Sequence, residues 1–185
     1  MIEDVLADAE GRMTKTLDNL QRELAGIRTG RASPGLIERL EVDYYGTPTP
    51  LNQVAGISAP EPRLLVVQPW DRSAMSAIEK AIRSSDLGLN PTNDGQVIRI
   101  AIPPLTEERR KALVRVVRQK VEESRVAIRN IRRDALAQVK EMLQEKLIGE
   151  DDERRAEQQV QELTNRYINE ADKIGKNKEA EVLEV

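Results

Sequence analysis

All nine prolines of this chain fall between Pro34 and Pro104, so the 33 residues before them and the 81 after them are free of proline. Proline inside a helix removes a hydrogen bond and clashes with the preceding turn. Only the outer stretches are therefore free to form long helices, and both carry apolar residues at steps of three and four. Leu6, Ala9, Met13, Leu17, Leu20, Leu24 and Ile27 predict a helix over 2–28. Val117, Val121, Ser124, Ile128, Ile131, Ala135, Val139 and Met142 predict a second over 106–148, about 64 Å long at 1.5 Å per residue. Thr106 is its N-cap, Glu107 and Glu108 suit the positive end of its dipole, and Gly149 reads as its stop. Ala156, Val160, Leu163, Tyr167, Ala171 and Ile174 predict a third over 150–183, with the acidic run Glu150 to Glu153 at its start. A spacing near 3.5 in all three favours shallow packing in a three-helix bundle.

The proline-bearing middle, 31–104, reads as a small α+β domain inserted between the first two helices. Leu40 to Tyr44 alternates like a half-buried strand, and Arg63 to Val67 and Val97 to Ile102 have strand length and β-branched content. Asn93-Asp94-Gly95 is a turn signal joining a short strand near 89–92 to the run at 97–102. Residues 73–86 read as a short helix with Met75, Ile78 and Ile82 on one face. Trp70 is assigned to the core, and Tyr44 to Pro50 to a strand end limited by proline. The domains are thus 1–30 with 105–185, and 31–104. Two connections join them, one through Gly30, Arg31, Ala32, Ser33 and Pro34, the other through Ile102, Pro103, Pro104 and Leu105. The residues alone leave open whether this pair is a hinge or a rigid double link.

Composition excludes several chemistries. The chain has no His and no Cys, hence no disulfide, no ordinary zinc site and no Ser-His or Cys-His nucleophile. Its whole aromatic set is Tyr44, Tyr45, Trp70 and Tyr167, which argues against base stacking on exposed rings. No apolar run approaches a membrane span, and Met1-Ile2-Glu3-Asp4 is unlike a signal peptide, so a cytoplasmic protein is expected, monomeric and without membrane or cofactor.

The net charge of -3 averages unlike parts: 105–148 carries +5 and 149–185 carries -5. Between 109 and 133 stand ten basic residues and only two acids, Glu122 and Glu123. Lys111, Arg115, Arg118, Arg125, Arg129 and Arg132 fall on one ridge of the second helix. Arginine forks suit phosphate, so the ridge reads as a surface for structured RNA backbone. The alternative is neutralisation by the third helix. Its acids Glu157, Glu162, Glu170, Asp172 and Glu179 spread around the helix, so no general neutralising seam is expected beyond local pairs such as Glu107 with Lys111 and Asp151 with Arg155. A helical adaptor for proteins is the second functional class, and an enzyme a distant third.

Five segments resemble the bacterial ribosome recycling factor family: Ile27 to Pro34, Asp43 to Pro50, Ser85 to Pro91, Pro103 to Arg110 and Val126 to Arg133. The resemblance implies an L-shaped α+β protein, a long three-helix bundle and a β/α/β domain joined by a flexible elbow at Gly30–Pro34 and Ile102–Leu105. It implies binding to large-subunit ribosomal RNA after termination, and splitting of the ribosome with elongation factor G and GTP. It places RNA contacts on Arg28, Arg31, Arg109, Arg110, Arg129, Arg132 and Arg133, and needs no catalytic group.

Overall fold

The computed structural model describes residues 1–184. The order of elements is α1 (Ile2–Ala25), β1 (Glu41–Tyr44), β2 (Thr47–Pro50), β3 (Ala55–Glu61), β4 (Leu64–Pro69), α2 (Met75–Arg83), β5 (Pro91–Asn93), β6 (Ile98–Ala101), α3 (Glu107–Gln144) and α4 (Glu150–Leu183). The fold is α+β, and the chain divides into two compact units. One comprises 1–24 and 114–179, the other 25–113 and the C-terminal residues from Ala180.

The first unit is three long helices around one apolar seam. Ala9, Met13, Leu17, Leu20 and Leu24 of α1, Val117, Val121, Ile128, Ile131, Ala135 and Val139 of α3, and Ala156, Val160, Leu163 and Ala171 of α4 are all buried. Fully burying one such larger side chain contributes about 1.5–3 kcal/mol. Two polar residues on the seam find partners in the chain: Thr164 Oγ1 donates to the Val160 carbonyl at 2.8 Å, and the half-buried Tyr167 hydroxyl meets Thr14 Oγ1 at 2.8 Å. Gly175 is buried in α4, and a Cβ there would stand 2.5 Å from Val121 Cγ2. The two helices therefore meet where one of them has no side chain.

Helix ends differ from expectation by a few residues, for identifiable reasons. α1 stops at Ala25, before Gly26, whose backbone freedom disfavours helix. α3 stops near Gln144 because Lys146 takes a left-handed conformation, φ 61°. The Leu147 and Lys146 amides then donate to the carbonyls of Met142 and Leu143 at 2.9 and 3.0 Å, a Schellman closure. Gly149 is thus not the stop of α3. It opens α4, its amide held by Asp152 Oδ2 at 3.1 Å.

The second unit carries a four-stranded antiparallel sheet in the order β3-β4-β6-β5, and a separate β1–β2 hairpin. Leu65 lies opposite Ile100 and Val67 opposite Ile98. These four are fully buried in one core with Val42, Leu51, and Ile78 and Ile82 of α2. The β5–β6 turn forms at Asp94 and Gly95 as its sequence predicts, Gly95 at φ 90°. β3 and β2 escape the sequence reading. β3 is the small, polar stretch AGISAPE, mostly exposed, at the sheet edge where Pro60 is tolerated. The β1–β2 turn puts both Tyr45 (φ 50°) and Gly46 (φ 82°) at positive φ, as a two-residue hairpin requires.

Trp70 is not in the core: it is 68% exposed. The alternation along β4 explains this, since Leu65, Val67 and Pro69 face inward and Trp70 falls on the parity of exposed Gln68.

Candidate nucleic-acid interface

The basic ridge of α3 divides into two sets. Arg118 Nε donates to Glu179 Oε1 at 2.6 Å, and Arg125 Nε donates to Asp172 Oδ1 at 2.7 Å while its Nη1 reaches Glu122 at 2.8 Å. Hydrogen bonds to Glu122, then to Asp172, hold the half-buried Arg125 guanidinium above its usual pKa. Arg132 Nη1 bonds Gln161 of the same helix α4 at 3.3 Å, and its Nε is buried with no partner. The expectation that the acids of α4 form no ridge facing the basic one is corrected for two of them, Asp172 and Glu179. Arg118 and Arg125 stand seven residues apart, as do Asp172 and Glu179. Seven residues are nearly two full turns, so in antiparallel helices the two pairs come into register. An even spread of acids around α4 hides two that share a face.

The second set has no partner on α4 among the described residues. Arg115 has no acidic partner among the described residues, and Arg133 bonds only its neighbour Asn130, at 3.4 Å. Arg129 has one long contact, 3.6 Å to Glu122. At 100° per residue Arg115, Arg129 and Arg133 lie within about 40° of one another, and the exposed Val126 shares their side of the helix. From Arg115 to Arg133 the helix rises about 27 Å. Arg133 is not named in the ridge read from sequence, yet it stands about five full turns from Arg115 and shares its face.

Of the expected local pairs, Lys111 meets Glu107 at 3.3 Å. Asp151 pairs with Arg154 instead of Arg155, and Arg155 pairs with Asp152. Asp152 is anchored by the Gly149 amide, its largest pKa influence, which with Arg155 holds its carboxyl below the usual range.

The remaining predicted contacts lie in the second unit. Arg109 is exposed and its amide bonds Thr106 Oγ1 at 3.1 Å, so Thr106 caps α3 as expected. Arg28 Nη2 donates to the Pro103 carbonyl, and its Nε is buried with no partner. Burial, then the neighbouring Arg109, lowers the Arg28 pKa. Two guanidinium groups close together without a carboxylate between them favour an anion. Arg31 Nη2 donates to Glu184 Oε1 at 2.8 Å. Arg110, half-buried, shares a cleft with Arg31 and with Arg63 of the β3–β4 turn. Arg63 escapes the sequence reading because nothing around it marks the turn as facing Arg110.

A family model, described as ribosome recycling factor, matches residues 20–183. The chain belongs to the ribosome recycling factor family. A ribosome-recycling factor of Thermomicrobium roseum is 68% identical over 185 residues, spanning the whole of both chains. That of Carboxydothermus hydrogenoformans is 56% identical over the same span. A solution structure of the ribosome recycling factor, 46% identical, superposes with a TM-score of 0.78 and covers 100% of this chain and 98% of its own. A second structure, 53% identical with a TM-score of 0.70 and full coverage of both, models the T. thermophilus ribosome recycling factor and E. coli elongation factor G bound to the E. coli post-termination complex. Ribosome recycling is thus this chain's family function, and its three helices and small sheet domain have the family fold.

Proposed function

We propose that this recycling factor binds large-subunit ribosomal RNA in the post-termination complex and, with elongation factor G and GTP, splits the ribosome into subunits in the cytoplasm. The observation that carries the reading is the outward face of α3. Arg115 and Arg133 stand there with no carboxylate partner among the described residues and Arg129 with one at 3.6 Å, on the same helix whose Arg118, Arg125 and Arg132 reach α4. A helix face of weakly paired arginines, with Glu122 the acid among them, binds backbone phosphate and reads shape. Arg132, Arg28, Arg31, Arg109 and Arg110 extend the surface, Arg132 because its half-buried guanidinium has only one long neutral bond to give up. The elongation factor is inferred from the relative bound with it.

The action is mechanical. The factor is a monomer that grips RNA through the bundle, and the GTP-hydrolysing partner acts on the domain 31–104. Gly30, Arg31, Ala32, Ser33 and Pro34 form one strand of an elbow, and Ile102, Pro103, Pro104 and Leu105 the other. Both are fastened to the same turn: the Ala32 amide donates to the Pro62 carbonyl at 2.6 Å, and the Ile102 amide to the Arg63 carbonyl at 2.8 Å. The two connections therefore move as one. No group of the chain is assigned to bond making or breaking.

Co-sedimentation with large subunits at stepped salt tests the RNA binding. Affinity is expected to weaken with salt, and Arg129→Ala with Arg133→Ala to flatten that dependence by about 1 for each phosphate no longer bound. Salt-independent binding, or variants that bind like wild type, would instead favour a protein adaptor.

A further inference from the structure

Arg31, Arg63 and Arg110 line one cleft of about 300 Å³ in the second unit, and Glu181 and Glu184 of the C-terminal end face into it. Its wall is fixed by backbone. The hydrogen bonds of Ala32 to Pro62 and of Ile102 to Arg63 hold the β3–β4 turn in place, so Arg63 is presented from a pinned tight turn. At Gly30 the floor is open: a Cβ there would find only the Glu184 carbonyl oxygen, 4.0 Å away. An ion pair crosses the cleft from Arg31 to Glu184, at 2.8 Å between side chains 69% and 49% exposed.

We propose that this cleft is a phosphate site in which the Glu184 carboxylate holds the place of an anion until an RNA phosphate displaces it. Three arginines that stay charged at any working pH line this space against two carboxylates, Glu181 and Glu184, which leaves the cleft basic. One carboxylate satisfies one guanidinium face of Arg31. A phosphate offers more acceptor oxygens and binds two guanidinium groups at once. A solvent-exposed ion pair is weak, so breaking it to admit a phosphate costs little. Arg63 thereby becomes an RNA contact supplied by the sheet domain, and Glu184 a built-in competitor. The inference rests on the RNA-binding reading above and adds Arg63 and Glu184 to it.

Large subunits at stepped salt are the probe. Glu184→Gln is expected to tighten binding about 1.5- to 5-fold at low salt, and Glu157→Gln, the same charge change on α4 far along the chain, to leave it unchanged. Arg63→Ala is expected to weaken binding roughly 3- to 10-fold and to lower the salt slope by about 1. In the Arg31→Ala and Arg63→Ala background, Glu184→Gln should lose its effect. Side-chain NMR of the arginine Nε–H groups separates the anion's source. Shifts at Arg31, Arg63 and Arg110 on adding inorganic phosphate mark a free-ion site, and shifts with an RNA duplex alone mark one that needs the polymer. If Arg133→Ala lowers binding while Arg63→Ala and Glu184→Gln change neither affinity nor slope, the cleft is not a phosphate site and the RNA face on α3 stands. If none of the arginine variants matters, the RNA reading fails as a whole.

Discussion

Replacing Gly175 by alanine should loosen α4 from α3 even though alanine is the better helix former. In an exposed helix interior the change gains about 1 kcal/mol. Here the new methyl would stand 2.5 Å from Val121 Cγ2. Val121 is buried and β-branched, so one rotamer is strongly preferred and retreat from the methyl is costly. Overpacking of this kind costs about 1–3 kcal/mol. The balance is a net loss of about 1 kcal/mol, or roughly 2–4 °C in Tm at this chain length. Urea denaturation followed by helical circular dichroism measures it. Val121→Ala alone should cost about 1.5–3 kcal/mol from the missing methyls and the cavity. Together the two changes should cost about 1 kcal/mol less than their sum, since the new methyl fills the space the valine vacates. A Gly175→Ala variant more stable than wild type, with strictly additive costs, would show that α3 and α4 do not touch there.

Three further outcomes follow from the same geometry. Arg125→Ala strands Asp172 and Glu122 and is expected to lower stability by about 1 kcal/mol, whereas Arg133→Ala is expected to leave stability within about 0.5 kcal/mol; equal losses in thermal melts would contradict the division of α3 into structural and outward arginines. Hydrogen bonds from the Ser73 hydroxyl and amide, then from Tyr45, hold the Asp71 carboxyl down at about 2. A depressed folded-state pKa stabilises above the unfolded value and is lost as pH falls through the folded one, so stability should decline between about pH 4 and pH 2, and Asp71→Asn should flatten that decline in urea midpoints measured across the window. Lys146→Gly relieves a left-handed backbone and is expected to stabilise by a few tenths up to about 1 kcal/mol; a loss in the same denaturation assay would count against the Schellman closure of α3.

The long helices were legible because their stripes repeat over about five to seven turns, and because proline confines every interruption to one block. The runs Arg63 to Val67 and Val97 to Ile102 declared their strands through strand length and apolar, β-branched content. β3 did not, since an edge strand of Ala, Gly, Ser and Pro has little apolar pattern to show. Trp70 was misplaced by residue type although its parity along β4 put it outside. On the interface, composition marked α3 as the basic element. It did not show which arginines are taken: that depends on Asp172 and Glu179 lying across an antiparallel seam from Arg125 and Arg118, a register no single helix reveals. Arg63 and Glu184 lie more than thirty residues along the chain from the partners they meet, so local pattern carries no trace of the cleft.

The most direct test of the mechanism is light scattering from post-termination ribosomes mixed with elongation factor G and GTP. Adding wild-type protein is predicted to drop the scattering as subunits separate, and the Arg129→Ala, Arg133→Ala double variant, folded by circular dichroism, to split them much more slowly. Undiminished splitting by that variant, or no splitting by the wild type, would contradict the account.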